Sequence, residues 1–361
     1  MESTRTTRRL GLAGLLLALA WAAAGPRVHT AAAGPGGYKI EPGPWKVASQ
    51  DLVLRDEKRQ KDLEVTVRHP AVAAGAPGRC PLVVFSHGAG GSRAAFSDLT
   101  AHWASHGYVV VLPTHADSVE LRRRSGEDLS RLRRDLDSLR RDVRPFDRLA
   151  DVTFVLDSIG AIEQRVAGLR DAGGAGRVDR DRVGMAGHSA GALTTQMAAG
   201  VKVRGAVPGA MLEARSVGDP RIDAAILISG QGTTNRMFTE QSWNELSKPM
   251  LVITGSKDIA AIGSETPASR REPFDRAKPG DKYLVFIEGA THSSYQGKGR
   301  ALSLDPSVPT DAELAMITSV TSAATLAFLD HCLKDDASAR AYLKSEALVT
   351  FSGGRAALER K

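Results

Sequence analysis

The decisive stretch runs Arg182-Val183-Gly184-Met185-Ala186-Gly187-His188-Ser189-Ala190-Gly191-Ala192-Leu193. Arg182–Ala186 reads as a short apolar strand and Ala190–Ala199 as a helix. Between them Gly187-His188-Ser189-Ala190-Gly191 matches G-x-S-x-G in the strand–turn–helix context that gives the motif meaning. A turn that sharp holds the serine in a strained conformation and lifts its Oγ above the sheet edge. Glycine two residues before and after it leaves the space the turn needs. The helix that begins there points its N-terminal dipole at the reacting centre. The alternative, a chance pentapeptide in a glycine-rich chain, does not account for the flanking strand and helix.

A serine hydroxyl is a weak nucleophile until a base takes its proton. Of nine histidines, most have structural readings. His29 lies in the leader, His69 at the end of an edge strand, His102 and His106 on a helix, and His331 on the last helix. His188 sits in the elbow, pointing away from its neighbour's Oγ. His292 stands apart, on the loop Gly289-Ala290-Thr291-His292-Ser293-Ser294 after the apolar run Tyr283–Ile287. It is the expected general base. The carboxylate that orients it should lie between the serine and the histidine in chain order. Asp258 fits, following Met250–Thr254 through Gly255-Ser256-Lys257, whereas Asp223 and Asp281 precede their strands. An oxyanion needs fixed donors. The backbone N–H of Ala190 supplies one, and Ala89 in His87-Gly88-Ala89-Gly90-Gly91-Ser92 the other. That loop is not a phosphate loop, since no Gly-Lys-Ser/Thr follows.

Outward from the elbow, strands and helices alternate. Asp62–Arg68, Pro81–Ser86, Tyr108–Leu112, Ala224–Ser229, Met250–Thr254 and Tyr283–Ile287 read as strands. Ala94–Ser105, Leu149–Leu169 and Asp311–Leu333 read as helices. This is one α/β domain on a mostly parallel central sheet flanked by helices. One segment breaks the rhythm. Arg122–Arg148 holds ten arginines and six acids, and Leu129, Leu132, Leu136, Leu139 and Val143 fall on one helical stripe. It is a charged helical insertion, about residues 116–146. Three roles compete for it: a lid over the site, a solvated helix packed elsewhere, or a contact with an acidic partner or anionic surface.

The chain has 361 residues, 25% of them charged and 42% hydrophobic. Those fractions exclude a disordered tail and a multi-span membrane protein. Net charge is +7, of which the first 33 residues carry +3. The remaining +4 is too mild to imply nucleic-acid binding and allows only weak anionic-surface contact. Arg5, Arg8 and Arg9 precede an apolar run, Leu10–Ala24, too short to span a bilayer. Small residues follow, so residues 1–33 are expected to be a secretory signal peptide, cleaved after Ala24 or Ala33. General export is favoured over the twin-arginine route, because Gly11 stands where a bulky apolar residue is usual. The mature domain would then be 34–361, secreted or periplasmic. Cys80 and Cys332 either pair in that oxidising space or stay two separate thiols.

Together these motifs resemble the α/β-hydrolase superfamily. Within it the chain is most similar to the platelet-activating-factor acetylhydrolase, chlorophyllase and dienelactone-hydrolase-like group of serine esterases. The resemblance spans roughly 81–334. It rests on Val84-Phe85-Ser86-His87-Gly88, Ala104-Ser105-His106-Gly107-Tyr108-Val109-Val110, Arg144-Pro145 with Asp151, the elbow, the Asp258 turn and the His292 loop. It implies an α/β-hydrolase fold and hydrolysis of short to modest acyl esters, with no metal or cofactor and a small-molecule ester as substrate. Ala190 departs from the bulky residue often found after the nucleophile. Phe96, His115, Met237, Phe238 and Trp243 are candidate substrate-pocket residues, each equally suited to ordinary packing. Alternatives are a cutinase-like polyester hydrolase, an amidase or peptidase on the same triad, or a non-catalytic binding protein on this scaffold. Acyl preference and oligomeric state stay open.

Overall fold

A computed structural model describes residues 37–71, 78–130, 137–171, 174–205, 214–259, 263–299 and 309–361. The expected leader lies outside these. Nine strands form one sheet in the order β1-β2-β4-β3-β5-β6-β7-β8-β9. They are β1 (Val47–Asp56), β2 (Lys61–Pro70), β3 (Cys80–Ser86), β4 (Val109–Pro113), β5 (Val178–His188), β6 (Ala224–Ile228), β7 (Met250–Lys257), β8 (Lys282–Thr291) and β9 (Ala356–Arg360). The central strands β4, β3, β5, β6, β7 and β8 are parallel. The margins β1–β2, β2–β4 and β8–β9 are antiparallel.

The continuous apolar runs have a direct cause. Side chains alternate across a strand, and both faces are covered, so nearly every position of these runs is buried. In β3, Leu82 and Val84 enter one core layer and Val83 and Phe85 the other. In the described residues the helices are α1 (Ser97–Ser105), α2 (Val119–Arg124), α3 (Asp137–Asp142), α4 (Pro145–Asp157), α5 (Ile159–Arg165), α6 (Ala190–Ala199), α7 (Pro267–Arg276), α8 (Asp311–Lys334), α9 (Ala337–Leu343) and α10 (Ala347–Phe351). Val152, Ile162 and Met197 from α4, α5 and α6 fill the first layer. Trp103 from α1 and Phe328 from α8 fill the second.

Several expectations are corrected. Arg122–Arg148 is not one helix. Gly126 adopts φ +83° just past α2, and Pro145 opens α4 after a break at Val143–Arg144. A left-handed glycine stops a helix, and a proline suits only the first turn of the next. Leu132 and Leu136 of the expected stripe lie outside the described residues. Leu149–Leu169 starts earlier, at Pro145, and breaks at Ser158. His69 is not on an edge strand, because β1 pairs outside β2. Cys80 and Cys332 are separate thiols.

Candidate functional site

Parallel strands deliver their following loops to one sheet edge, and the crevice at carboxyl ends is where such sheets place their sites. Ser189 follows β5 with φ 55° and ψ −118°, a conformation costly for a residue with a side chain. Its N–H donates to the Ile228 carbonyl at 3.0 Å, which locks the turn to β6. The flanking glycines are steric requirements. A Cβ on Gly187 would stand 2.3 Å from the Gly191 carbonyl oxygen, and one on Gly191 1.9 Å from that of Ser86.

Three side chains from three loops meet here. The Ser189 Oγ lies 2.9 Å from His292 Nε2, and His292 Nδ1 lies 2.9 Å from Asp258 Oδ1. Asp258 is fully buried. Its Oδ2 accepts from the hydroxyls of Ser229 (2.5 Å), Thr254 (3.0 Å) and Tyr295 (3.2 Å). The Arg270 Nε sits 2.9 Å from Oδ1, and its Nη1 donates to the Ser229 carbonyl at 2.7 Å. Burial opposes ionisation of Asp258, but the Arg270 guanidinium, His292 and the Ser229 hydroxyl outweigh it and hold the carboxyl well below the usual range. The Tyr295 hydroxyl is pushed the other way by burial and the Asp258 charge, so it stays a donor.

His188 takes part as well. Its Nε2 donates to the His292 carbonyl at 2.8 Å, and its ring stands 4.8 Å from that of His292. Burial, then repulsion from His292, lowers its pKa to about 3, so it is neutral and holds the loop by a hydrogen bond. The sequence signal was its place inside the elbow. Arg270, Ser229, Thr254 and Tyr295 carried none.

The loop His87–Ser92 lies against the serine: a Cβ on Gly88 would stand 3.5 Å from the Ser189 Cβ. The Gly90 N–H donates to Asp117 Oδ2 at 3.0 Å and the Gly91 N–H to the Gly88 carbonyl at 3.1 Å. Those two donors are spent, while Ala89 and Gly88 precede them. Ala190 is the first residue of α6, where an N–H has no carbonyl one turn back.

The expected pocket residues are placed differently. Phe96, His115, Phe238 and Trp243 are buried and Met237 packs partly buried against the core. Phe96 packs 5.2 Å from the His188 ring, and Phe238 4.9 Å from Trp243. His115 is held between Asp151 Oδ2 (2.9 Å) and the Ser86 Oγ (2.8 Å). Aromatic side chains gain most from complete burial, and these have taken it. Among the described residues no group of three or more His, Cys, Asp or Glu side chains is arranged to hold a metal ion.

The comparisons with known proteins bear on the fold. A family model described as platelet-activating factor acetylhydrolase, isoform II, matches residues 60–123. That stretch contains β2, β3, the His87–Ser92 loop and β4, and stops short of Ser189. A solved structure of a ferulic acid esterase from Streptomyces cinnamoneus superposes with a TM-score of 0.54 at 22% identity, covering 83% of this chain and 94% of the other. The chain has the α/β-hydrolase fold. No curated protein matches this chain in sequence.

Proposed function

We propose that this α/β-hydrolase is an exported serine esterase acting through Ser189, His292 and Asp258. The observation that carries the reading is the unbroken chain Ser189 Oγ–His292 Nε2–Asp258 Oδ1, 2.9 Å at each link, hung on a strained serine. Ser189 Oγ attacks the acyl carbonyl carbon as His292 Nε2 takes its proton. The Asp258 carboxylate keeps the other ring proton on Nδ1 and stabilises the imidazolium. The carbonyl oxygen becomes an oxyanion facing the N–H groups of Ala89 and Ala190, each such donor contributing about 10²–10³ in kcat. Collapse expels the alcohol, which leaves with the proton from His292 Nε2. Water, deprotonated by His292, then releases the acid and restores Ser189.

The test is turnover of p-nitrophenyl esters from acetyl to palmitoyl, with a feruloyl ester added on account of the structural likeness. Loss of about 10⁴-fold or more in Ser189→Ala is expected; turnover unchanged in that variant sinks the reading. Short to modest acyl chains are the expected optimum. Export rests on the leader-like residues 1–33. Mass analysis of protein released from cells would find a new N-terminus after Ala24 or Ala33; an intact Met1 on the released protein would refute cleavage.

A further inference from the structure

Arg148 and Asp117 stand outside the serine constellation, yet both are aimed at the loop beside it. They are 1% and 4% exposed. The Arg148 Nε and Nη2 form a two-pronged pair with Asp117 Oδ1 (2.8 Å) and Oδ2 (2.7 Å). The same guanidinium reaches the loop: Nη1 donates to the His87 carbonyl at 2.6 Å and Nη2 to the Gly88 carbonyl at 3.1 Å. Asp117 Oδ2 then accepts the Gly90 N–H. A single ion pair therefore holds the peptide units 87–88, 88–89 and 89–90. Five rigid donors in one plane make arginine able to do this, and lysine cannot span the same points.

The consequence follows from peptide geometry. A trans peptide is planar, so its carbonyl and the next N–H point in opposite directions. With the Gly88 carbonyl drawn onto Arg148, the Ala89 N–H must point away from Arg148. Fold stability alone is a weak reason for such a pair, because two buried charges lose in desolvation about what their attraction returns. We propose that Arg148, itself fixed by Asp117, is a positioning residue that aims the Ala89 N–H at the oxyanion. This rests on the serine-esterase reading above.

The experiment compares an ester with its matched thionoester in purified full-length protein, wild type against Arg148→Lys and Asp117→Asn. A thiocarbonyl sulfur accepts hydrogen bonds poorly, so the ratio of oxo- to thionoester kcat/KM reports the oxyanion donors. It does not change when a variant merely holds less folded protein. The expected result is a fall of about 10²-fold in kcat on the oxoester, KM within about twofold, and a ratio lowered at least about tenfold. Asp117→Asn keeps the volume and an oxygen for Gly90, and decides the matter if Arg148→Lys does not fold. An unchanged ratio in the soluble variants overturns the proposal even if rates fall. Ser189-dependent turnover with an unchanged ratio removes the clamp alone. A wild type with no Ser189-dependent turnover removes the serine reading and the clamp together.

Discussion

Replacing Asp258 with asparagine exchanges one oxygen for an NH₂ group, and the surroundings decide which one. At the Oδ1 position the amide nitrogen would stand 2.9 Å from Arg270 Nε, pressed against a cation whose N–H already donates to the Asp258 backbone carbonyl. At the Oδ2 position it meets the hydroxyls of Ser229, Thr254 and Tyr295, each of which can rotate to accept. The amide oxygen should therefore remain on His292 Nδ1, and the ring should keep the tautomer that leaves Nε2 free for the Ser189 proton. What is lost is the charge. A carboxylate and an imidazolium about 4 Å apart at an effective dielectric near 20 interact by about 4 kcal/mol. The neutral hydrogen bond that survives returns about 1 kcal/mol.

The net is about 3 kcal/mol, a fall in kcat of about 10²- to 10³-fold. Where asparagine reverses the tautomer, serine hydrolases lose about 10⁴-fold. Steady-state turnover of a p-nitrophenyl ester separates these outcomes. A fall below tenfold would mean that the carboxylate charge is not used. A fall of about 10⁴-fold would mean that the amide turned the other way and that the hydrogen-bond argument is wrong. Arg270 is left buried without its counter-charge, so urea unfolding should also show a loss of about 3 kcal/mol.

Two further outcomes follow from packing and from titration. Gly191→Ala would drive a Cβ to 1.9 Å from the Ser86 carbonyl, so its urea midpoint should drop by more than about 3 kcal/mol of stability or the protein should fail to fold; a wild-type midpoint would contradict the elbow geometry. Burial, then His106, lowers the His102 pKa to about 4, as burial and His292 lower that of His188 to about 3. Between about pH 6.5 and those values the unfolded chain binds more protons than the folded one, so stability is whole above about pH 6.5 and falls as pH falls. Asp258 and Asp117, also held low, extend the loss below about pH 4. A urea midpoint flat from pH 7 to pH 4.5 would show that the buried histidines do not titrate this way.

What could be read from the chain is what depends on local pattern. Strands β3 to β8 are short apolar runs because both faces are covered, and their order of appearance leads Ser189, Asp258 and His292 to one edge. What could not be read depends on distant partners. Strands β1 and β9 are half-exposed margins with mixed composition, defined by what they pair with. Arg148 sits in a run of arginines that looks solvated, and only its distant contacts with His87, Gly88 and Asp117 set it apart. The burial of the aromatic pocket candidates was hidden for a related reason. Residue type says that Phe96 or Trp243 is apolar, but not whether a core or a ligand covers it.

The molecule also contains a second Ser–His–Asp set, and it sharpens what would make the first one reactive. Ser86 Oγ, His115 and Asp151 are linked at 2.8 and 2.9 Å, as tightly as Ser189, His292 and Asp258. Yet Ser86, His115 and Asp151 are all fully buried, and Ser86 ends β3 in ordinary strand backbone. No acyl carbonyl can reach that hydroxyl, and the Asp151 carboxylate is spent on Lys61 and Arg59. The distances are the same, so distance is not what distinguishes a nucleophile. The distinction lies in the backbone: at φ 55° the turn carries Ser189 out of the sheet, and two glycines without which the turn would clash make that possible. The buried set instead fastens β3 to β4 and α4 directly beneath the loop that bears Ala89. On the serine-esterase reading, one constellation of residue types does two jobs in this fold, and the backbone that exposes or buries the serine decides which.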